Sequence, residues 1–257
     1  MFNIELMKKL LLFFLLWKVV IIRAQDHGDY QLIRYDVRYN HLFDRGSDFK
    51  LYDAKLYVQG DRSLFTMKRT DQIESSLQSN YFDASPDSLF NVYKDFESNS
   101  LLFDFYHFQQ GNVFYADTLH PMEWNLMSEE KTIGGISCRK AVVRFKGRDY
   151  VAWYAPSIPI SNGPWKLGGL PGLILEAYDE NREWVANFRG INENHFVDFG
   201  YYDQLVNKGV QNYSVFVSEL KAYLKRVSGS LSVQGSGDCF TCDQQSLVKL
   251  YVWEKFD

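Results

Sequence analysis

The chain has 257 residues, of which 46% are hydrophobic, 23% charged and 17% aromatic, and its formal net charge is −4. This composition predicts a globular protein of one large or two small domains and excludes a disordered chain. The aromatic residues, led by phenylalanine and tyrosine, favour β-strands. The acidic balance argues against a nucleic-acid partner.

The first 24 residues are predicted to be a signal peptide. Lys8-Lys9 give a positive start, an apolar run follows from Leu10, and Ile22-Arg23-Ala24 provides a cleavage site. Lys18 interrupts the run and makes it a poor permanent membrane span, although an uncleaved anchor is the alternative. Cleavage removes four basic residues and one acidic residue, so the formal charge of the mature chain becomes −7.

Alternating apolar and polar residues predict the first strands. Ile33 to Tyr39 alternate strictly, and Phe49 to Tyr57 and Ser63 to Met67 follow as a hairpin through the turn Gln59 to Arg62. Residues 70–97 are polar and mixed. We expect a loop there that contains a short helix.

That helix is predicted from about Asp87 to Phe96, because Ser85 could cap it and Pro86 suits a first turn. The aromatic run Leu101 to Phe108 then predicts a strand, and a turn leads from it into a second strand at Val113 to Tyr115.

The second half of the chain predicts further hairpins and one amphipathic helix. Strands are expected at Ser137 to Phe145 and Asp149 to Tyr154, and again at Leu173 to Tyr178 and Trp184 to Phe188. The helix is expected from about Asn212 to Val227, with apolar residues on one face at Phe216, Leu220, Tyr223, Leu224 and Val227.

After a Ser/Gly-rich segment near 228–237, Leu247 to Trp253 predicts a last strand. Residues 25–257 are therefore expected to form a single β-rich domain. Its fold would be one strongly twisted antiparallel sheet, which could curl toward a partial barrel, covered by one or two helices.

The stretch from Gly163 to Leu175 restricts the backbone conformation more than any other part of the chain, because it contains four glycines and two prolines. Pro171-Gly172 suits the central positions of a type II turn, since proline presets φ and glycine accepts a positive φ. Leu173-Ile174-Leu175 then predicts the start of a buried strand. The stretch is interpreted either as a structural corner, which we prefer, or as a loop that holds a ligand or partner.

This stretch is identified as the signature of the GLPGLI family of secreted bacterial proteins, at Gly169, Leu170, Pro171, Gly172, Leu173 and Ile174. The resemblance extends over about residues 120–178, through Trp124, Lys131, Ile133, Gly135, Cys138, Lys140, Ala141, Gly147, Arg148, Trp153, Ala155, Ile158, Pro159, Gly163 and Pro164. Gly134-Gly135-Ile136 departs from the family, in which an aromatic residue usually follows the glycine. Membership implies export in a Gram-negative bacterium, and it implies no established activity.

Three cysteines, Cys138, Cys239 and Cys242, would meet an oxidising compartment after export. One structural disulfide is expected, either between Cys239 and Cys242 or from Cys138 to one of them. The spacing of the Cys239–Cys242 pair is also typical of redox motifs, but the pair follows the Ser/Gly-rich segment rather than a βαβ pattern.

The sequence offers no recognisable catalytic or cofactor pattern. It has no Gly-x-Ser-x-Gly elbow, no phosphate-binding loop and no metal-binding pair among the histidines. Glu129-Glu130 and Asp179-Glu180 are predicted to lie in solvated turns. We therefore expect no catalytic, cofactor-binding or metal-ligating residue. The five histidines are scattered, at His27, His41, His107, His120 and His195.

These observations lead to three hypotheses of function. The first is a non-catalytic envelope protein that binds an apolar ligand or a protein partner, in the periplasm, at the outer membrane or outside the cell. The second is an accessory scaffold of an outer-membrane complex. The third is an exported hydrolase whose site the sequence does not reveal.

Overall fold

The computed structural model describes residues 31–39, 50–70, 90–107, 111–193 and 197–222. The predicted signal peptide, the Ser/Gly-rich segment, Cys239, Cys242 and the strand expected at Leu247 to Trp253 lie outside these residues. Within them, no helix is both long and apolar enough to cross a lipid bilayer.

One twisted sheet of twelve strands dominates the described part of the chain. The strands are β1 (Gln31–Tyr39), β2 (Lys50–Gln59), β3 (Arg62–Arg69), β4 (Phe90–Asp95), β5 (Ser100–His107), β6 (Gly111–Thr118), β7 (Asn125–Ile133), β8 (Ile136–Phe145), β9 (Arg148–Ala155), β10 (Leu173–Asp179), β11 (Trp184–Glu193) and β12 (Gln211–Asn212). Helix α1 spans Gly200–Lys208, and helix α2 is described over 213–222.

The sheet consists of two antiparallel meanders joined edge to edge. Strands β1 to β6 pair in sequence order, and strands β7 to β11 do the same. The two sets meet where β1 pairs with β11, from Gln31 opposite Glu193 to Tyr39 opposite Trp184. Strand β12 adds a short parallel pairing to β6. The predicted single antiparallel sheet is confirmed, and it remains open, with β12 and β7 at its edges.

The two faces of the sheet are covered differently. On β1, Ile33, Tyr35, Val37 and Tyr39 are buried on one face, which we call the packed face because most of the apolar core lies on it. The opposite face carries a second, smaller apolar cluster. We call it the α1 face, since helix α1 packs there. The smaller cluster contains Leu64, Tyr93, Leu102 and Phe199.

Strand β4 replaces the helix that the sequence predicted from Asp87 to Phe96, and that prediction was wrong over the described residues. Four consecutive residues of β4, from Asn91 to Lys94, are buried. Because both faces of this strand are covered, its polar residues break the alternation by which half-buried strands are recognised.

Strand β7 and helix α1 were not predicted. Most of β7 is exposed, and its pairing with β8 is interrupted by a bulge between Leu126 and Glu130. Such a strand has no apolar face from which a period of two could be recognised. A bulge and charged side chains are common at sheet edges, where they discourage pairing with other chains.

Helix α2 confirms the prediction of a late amphipathic helix over its described residues. The Asn212 side chain accepts a hydrogen bond from the Val215 amide, which caps the helix. Phe216 and Leu220 are buried on the packed face, where the Phe216 ring lies 5.1 Å from the rings of Phe103 and Tyr115. Tyr223, Leu224 and Val227 lie outside the described residues.

Candidate functional site

The connection between β9 and β10, residues 156–172, lies across the packed face instead of forming a short hairpin loop. We call it the signature segment, although the signature itself continues into β10. Trp165, Leu167 and Leu170 of this segment are buried in the main core. The segment that contains Gly169 to Gly172 of the signature is therefore a layer of the core.

A row of alanines lies on the packed face of the sheet. Ala141 pairs with Ala152, Ala152 with Ala177, and Ala177 with Ala186, so the row crosses four neighbouring strands. All four side chains are fully buried. Because alanine extends least from a strand, such a row leaves room for another layer of chain.

Aromatic residues beside this row hold the signature segment. The Trp165 ring lies 5.9 Å from the Tyr150 ring, 6.0 Å from the Trp184 ring and 6.1 Å from the Phe145 ring. Tyr150 lies two residues before Ala152, and Trp184 lies two residues before Ala186, so both share the face of the row. Contacts of this kind stabilise by about 0.5–1.5 kcal/mol each beyond the area they bury.

The turn at Pro171-Gly172 is not the expected type II turn, and it needs glycine because two backbone segments approach each other closely. Gly172 has a φ of 148°, whereas a type II turn has a φ near +80° at that position. Its amide donates to the Leu170 carbonyl, which makes a three-residue turn around Pro171. A β-carbon on Gly172 would lie 2.2 Å from the Ala155 carbonyl oxygen. Only glycine fits this close approach of two backbones.

Two hydrogen bonds from residues distant in sequence hold the segment and the start of the strand that follows it. The Tyr35 hydroxyl on β1 donates to the Ile174 carbonyl at 2.8 Å, and the Trp124 indole donates to the Gly168 carbonyl at 2.8 Å. These contacts join the signature stretch to β1 and to the residue that precedes β7.

Lys94 on β4 is the most unusual side chain near the segment. It is 1% exposed. Its ammonium nitrogen donates to Asn162 Oδ1 at 2.9 Å, to the Leu167 carbonyl at 2.7 Å and to the Gly163 carbonyl at 3.3 Å. All three acceptors are neutral and belong to the signature segment. Burial lowers the pKa of Lys94 to about 7, because a low-polarity environment disfavours the charged form.

A second buried lysine, Lys166, belongs to the signature segment itself and is held by aromatic rings. The Lys166 ammonium lies 3.9 Å from the centre of the Phe103 ring and 5.4 Å from that of Tyr213, the first residue of α2. Lys146 approaches the Tyr213 ring to 3.8 Å and pairs with Asp117 at 3.0 Å. Helix α2 is thus fastened to the segment and to the β8–β9 turn by cation–π contacts.

The carboxylates predicted to lie in solvated turns differ from each other. Glu129 and Glu130 are exposed, as expected, but they lie in strand β7 and not in a turn. Asp179 is 2% exposed, so that expectation was wrong for it. Asp179 accepts hydrogen bonds from Arg148 at 2.8 Å and from the Trp184 amide at 2.8 Å. Burial raises the pKa of Asp179 despite this nearby guanidinium.

The remaining candidate residues do not come together in the described part of the chain. Cys138 is buried in β8, and its thiol donates to the Ile136 carbonyl. Burial raises the pKa of this thiol, which does not favour a reactive thiolate. His120 lies at the surface beside Asp117. No group of three potential metal ligands occurs among the described residues. His27, His41, His195 and the side chain of His107 lie outside them.

An open groove of about 550 Å³ lies on the α1 face, where the β2–β3 turn, the β4–β5 turn and helix α1 meet. We call it the acidic groove, because four carboxylates and one guanidinium line it. Arg62 pairs with Asp203 at 3.0 Å, and the Tyr93 hydroxyl donates to Asp203 at 2.6 Å. The other three carboxylates are those of Asp61, Asp95 and Glu97.

Sequence reasoning found the signature but missed Lys94 and the acidic groove. Lys94 follows Val92 and Tyr93, but nothing near it in sequence indicates acceptors that lie between 68 and 73 residues further along the chain. The two turns that form the groove contain ordinary polar residues. Their meeting depends on the order of the strands and on an unpredicted helix.

A family model described as a protein of unknown function (Porph_ging) matches residues 145–176. The match begins at the end of β8 and contains the whole of Gly169 to Ile174. A comparison with curated proteins finds no relative.

Solved structures give weak likenesses that carry no functional argument. Two chains of PNGF-II, crystallised in space groups C2 and P21, match with TM-scores of 0.47 and 0.45 at 16% and 17% identity. They align with 72% and 67% of this chain, which spans only 31% and 29% of theirs. A DUF1329 family protein from Desulfovibrio piger has a TM-score of 0.28 at 10% identity, over 71% of this chain and 93% of its own.

Proposed function

We propose that this chain is an exported, non-catalytic member of the GLPGLI family that binds a protein partner in the cell envelope. The match of residues 145–176 to the model of a family of unknown function (Porph_ging) supports a relationship to bacterial proteins that share this stretch, and the stretch contains the complete signature on which the GLPGLI resemblance rests. The apolar start of the chain supports export.

One observation favours a protein partner over an apolar ligand. An aromatic-lined sheet could hold a lipid on its concave face, but here Trp165, Leu167 and Leu170 of the signature segment are buried on the packed face. Helix α2 covers the neighbouring part of this face through Phe216 and Leu220. The protein's own chain therefore occupies the surface on which an apolar ligand would lie.

The acidic groove is the surface that we assign to the partner. Asp61 and Glu97 are exposed at its rim. The turn that carries Glu97 is held by the Asp95 carboxylate, which accepts hydrogen bonds from the amides of Glu97 and Ser98. A rim of this charge would attract a partner with a basic surface, and electrostatic attraction of this kind mainly raises the association rate. The formal charge of −7 predicted for the mature chain acts in the same direction.

Site-specific photocrosslinking in the native envelope tests this proposal. A photoreactive residue at Ser98, in the groove, is compared with one at Ser128, which is exposed on β7. We expect one discrete protein adduct from Ser98, and we expect the substitutions Asp61→Lys and Glu97→Lys to abolish it. The matched control Glu129→Lys reverses the same charge on β7 and should leave the adduct intact.

Two results would contradict the proposal. One is an equal set of adducts from Ser98 and Ser128, which would indicate non-specific contact. The other is a stoichiometric lipid in an organic extract of protein purified without detergent, measured by mass spectrometry. That second result would support the apolar-ligand hypothesis instead.

A further inference from the structure

Lys94 and Asn162 form a buried pair of an amine and a carboxamide. The Lys94 nitrogen lies 2.9 Å from Asn162 Oδ1, and the two residues are 1% and 2% exposed. The Asn162 side-chain nitrogen is buried, and no described residue accepts its hydrogens. A primary amine is thus held against a carboxamide whose leaving nitrogen is unengaged.

We propose that Lys94 and Asn162 join in an intramolecular isopeptide bond, which links strand β4 covalently to the signature segment. The neutral Lys94 amine attacks the Asn162 side-chain carbonyl carbon and forms a tetrahedral adduct. A proton passes from the attacking nitrogen to the carboxamide nitrogen, the carbon–nitrogen bond breaks, and ammonia leaves. The step needs no oxidant, reductant or co-reactant.

The local geometry supplies three of the features that such a reaction requires. Buried, fixed reactants gain from proximity, which can replace a large part of the entropic barrier. The Gly163 amide donates to Asn162 Oδ1 at 2.8 Å, in the position of an oxyanion-stabilising donor. The Gly163 and Leu167 carbonyls hold the Lys94 nitrogen in place.

The protonation state of Lys94 permits the attack. Burial brings the pKa of this amine to about 7, so a substantial fraction is unprotonated and nucleophilic near neutral pH. Three charged groups on the neighbouring elements have other partners. On the signature segment, Lys166 lies over the Phe103 ring, and on β3 Arg62 pairs with Asp203. On β5, the buried carboxylate of Asp104 accepts hydrogen bonds from the amide and the side chain of Asn91.

The hydrogen bond places the amine beside Asn162 Oδ1 rather than above the carbonyl carbon. The reaction therefore needs a small rotation of the carboxamide that brings the nitrogen over the carbon bonded to that oxygen. Because Asn162 lies in an irregular connection and not within a strand, this rotation does not disturb a ladder of strand hydrogen bonds.

Mass spectrometry of the full-length chain, after denaturation and digestion with trypsin, tests the proposal. We expect a branched peptide that contains both Lys94 and Asn162, with a mass below the sum of its parts by one ammonia molecule, about 17 Da. Trypsin should fail to cleave after Lys94, because the modified side chain no longer carries a charge. Lys94→Arg and Asn162→Ala should each abolish the branched peptide.

The matched control is Lys166→Arg, which changes the other buried lysine of the region and should leave the branched peptide in place. The decisive measurement uses the unsubstituted chain, so it does not depend on whether a variant folds. A linear peptide that ends at Lys94, without any branched peptide, overturns the proposal and leaves the pair as a hydrogen-bonded contact. This result would not affect the proposed binding function, which depends on the other face of the sheet.

Discussion

The two faces of the sheet hold their charged residues in different ways. On the packed face, Lys94 is held by neutral oxygens and Lys166 lies over aromatic rings, and both are nearly inaccessible. On the α1 face, Arg62 and Asp203 pair directly at 3.0 Å, and their side chains are 39% and 37% exposed. The same sheet thus carries one face that is closed by its own chain and one that has an open groove.

This difference indicates a division of roles. A buried charge contributes or costs several kcal/mol depending on its partners, whereas a half-exposed ion pair contributes about 0–1 kcal/mol. We therefore expect substitutions on the packed face to change stability, and substitutions on the α1 face to change binding. Four substitutions test this expectation, in order of decreasing effect.

Replacing Gly172 by valine should have the largest effect. The new β-carbon would overlap the Ala155 carbonyl, and valine is strongly disfavoured at a φ of 148°. We expect a loss of more than about 4 kcal/mol in the free energy of unfolding, measured by urea titration. Gly60→Ala is the control, because a β-carbon there meets no atom within 4 Å. Similar losses in both variants would contradict the close approach at Gly172.

Arg148→Met should destabilise by about 3–5 kcal/mol, because it removes the guanidinium that pairs with the buried carboxylate of Asp179 and with Glu183. The control is Arg182→Met, in the neighbouring turn, where an exposed guanidinium lies 4.0 Å over the Tyr178 ring. Urea unfolding of both variants measures the contrast. If the two losses are equal, burial is not what sets the contribution of Arg148.

Lys146→Met should destabilise by about 1–2 kcal/mol near neutral pH, since it breaks a largely buried pair with Asp117. Burial acts to raise the pKa of Asp117, but the hydrogen bond and charge of Lys146 outweigh it, so the pKa is lowered. The pair then stabilises the fold above the ordinary aspartate pKa of 3.8, and this contribution is lost as the pH falls through the lower folded value.

Melting temperatures measured between pH 7 and pH 2 check this dependence. The difference between the wild-type protein and Lys146→Met should shrink on acidification, and the part that remains would come from the cation–π contact with Tyr213. Lys221→Met, at an exposed position of α2, is the control and should show no such trend. A difference that is constant with pH would contradict the assignment to Asp117.

Arg62→Met should change the free energy of unfolding least, by less than about 1 kcal/mol. It also removes the one positive charge that lines the acidic groove, so the yield of the Ser98 photoadduct should rise for a basic partner. A loss of stability as large as that of Arg148→Met would remove the contrast between the two faces.

Most of the strands could be predicted from the sequence, because most of them are covered on one face. Regular alternation located β1 and most of the hairpins. Strand β4 was not predicted because both of its faces are buried, and β7 was not predicted because it is almost wholly exposed. The environment of Lys94 could not be predicted, since its acceptors reach it only through the crossing of the signature segment.

The pairing of β1 with β11 also affects how the chain can fold. Each of the two meanders pairs strands that follow one another in sequence, so its contacts are more local than those of the junction. Their junction brings Gln31 opposite Glu193 and must close almost the whole described chain. During synthesis, β1 is made among the first strands and must wait for a partner that is made among the last. We therefore expect the slowest folding step to be the joining of β1 to β11, and until then one edge of β1 has no strand beside it.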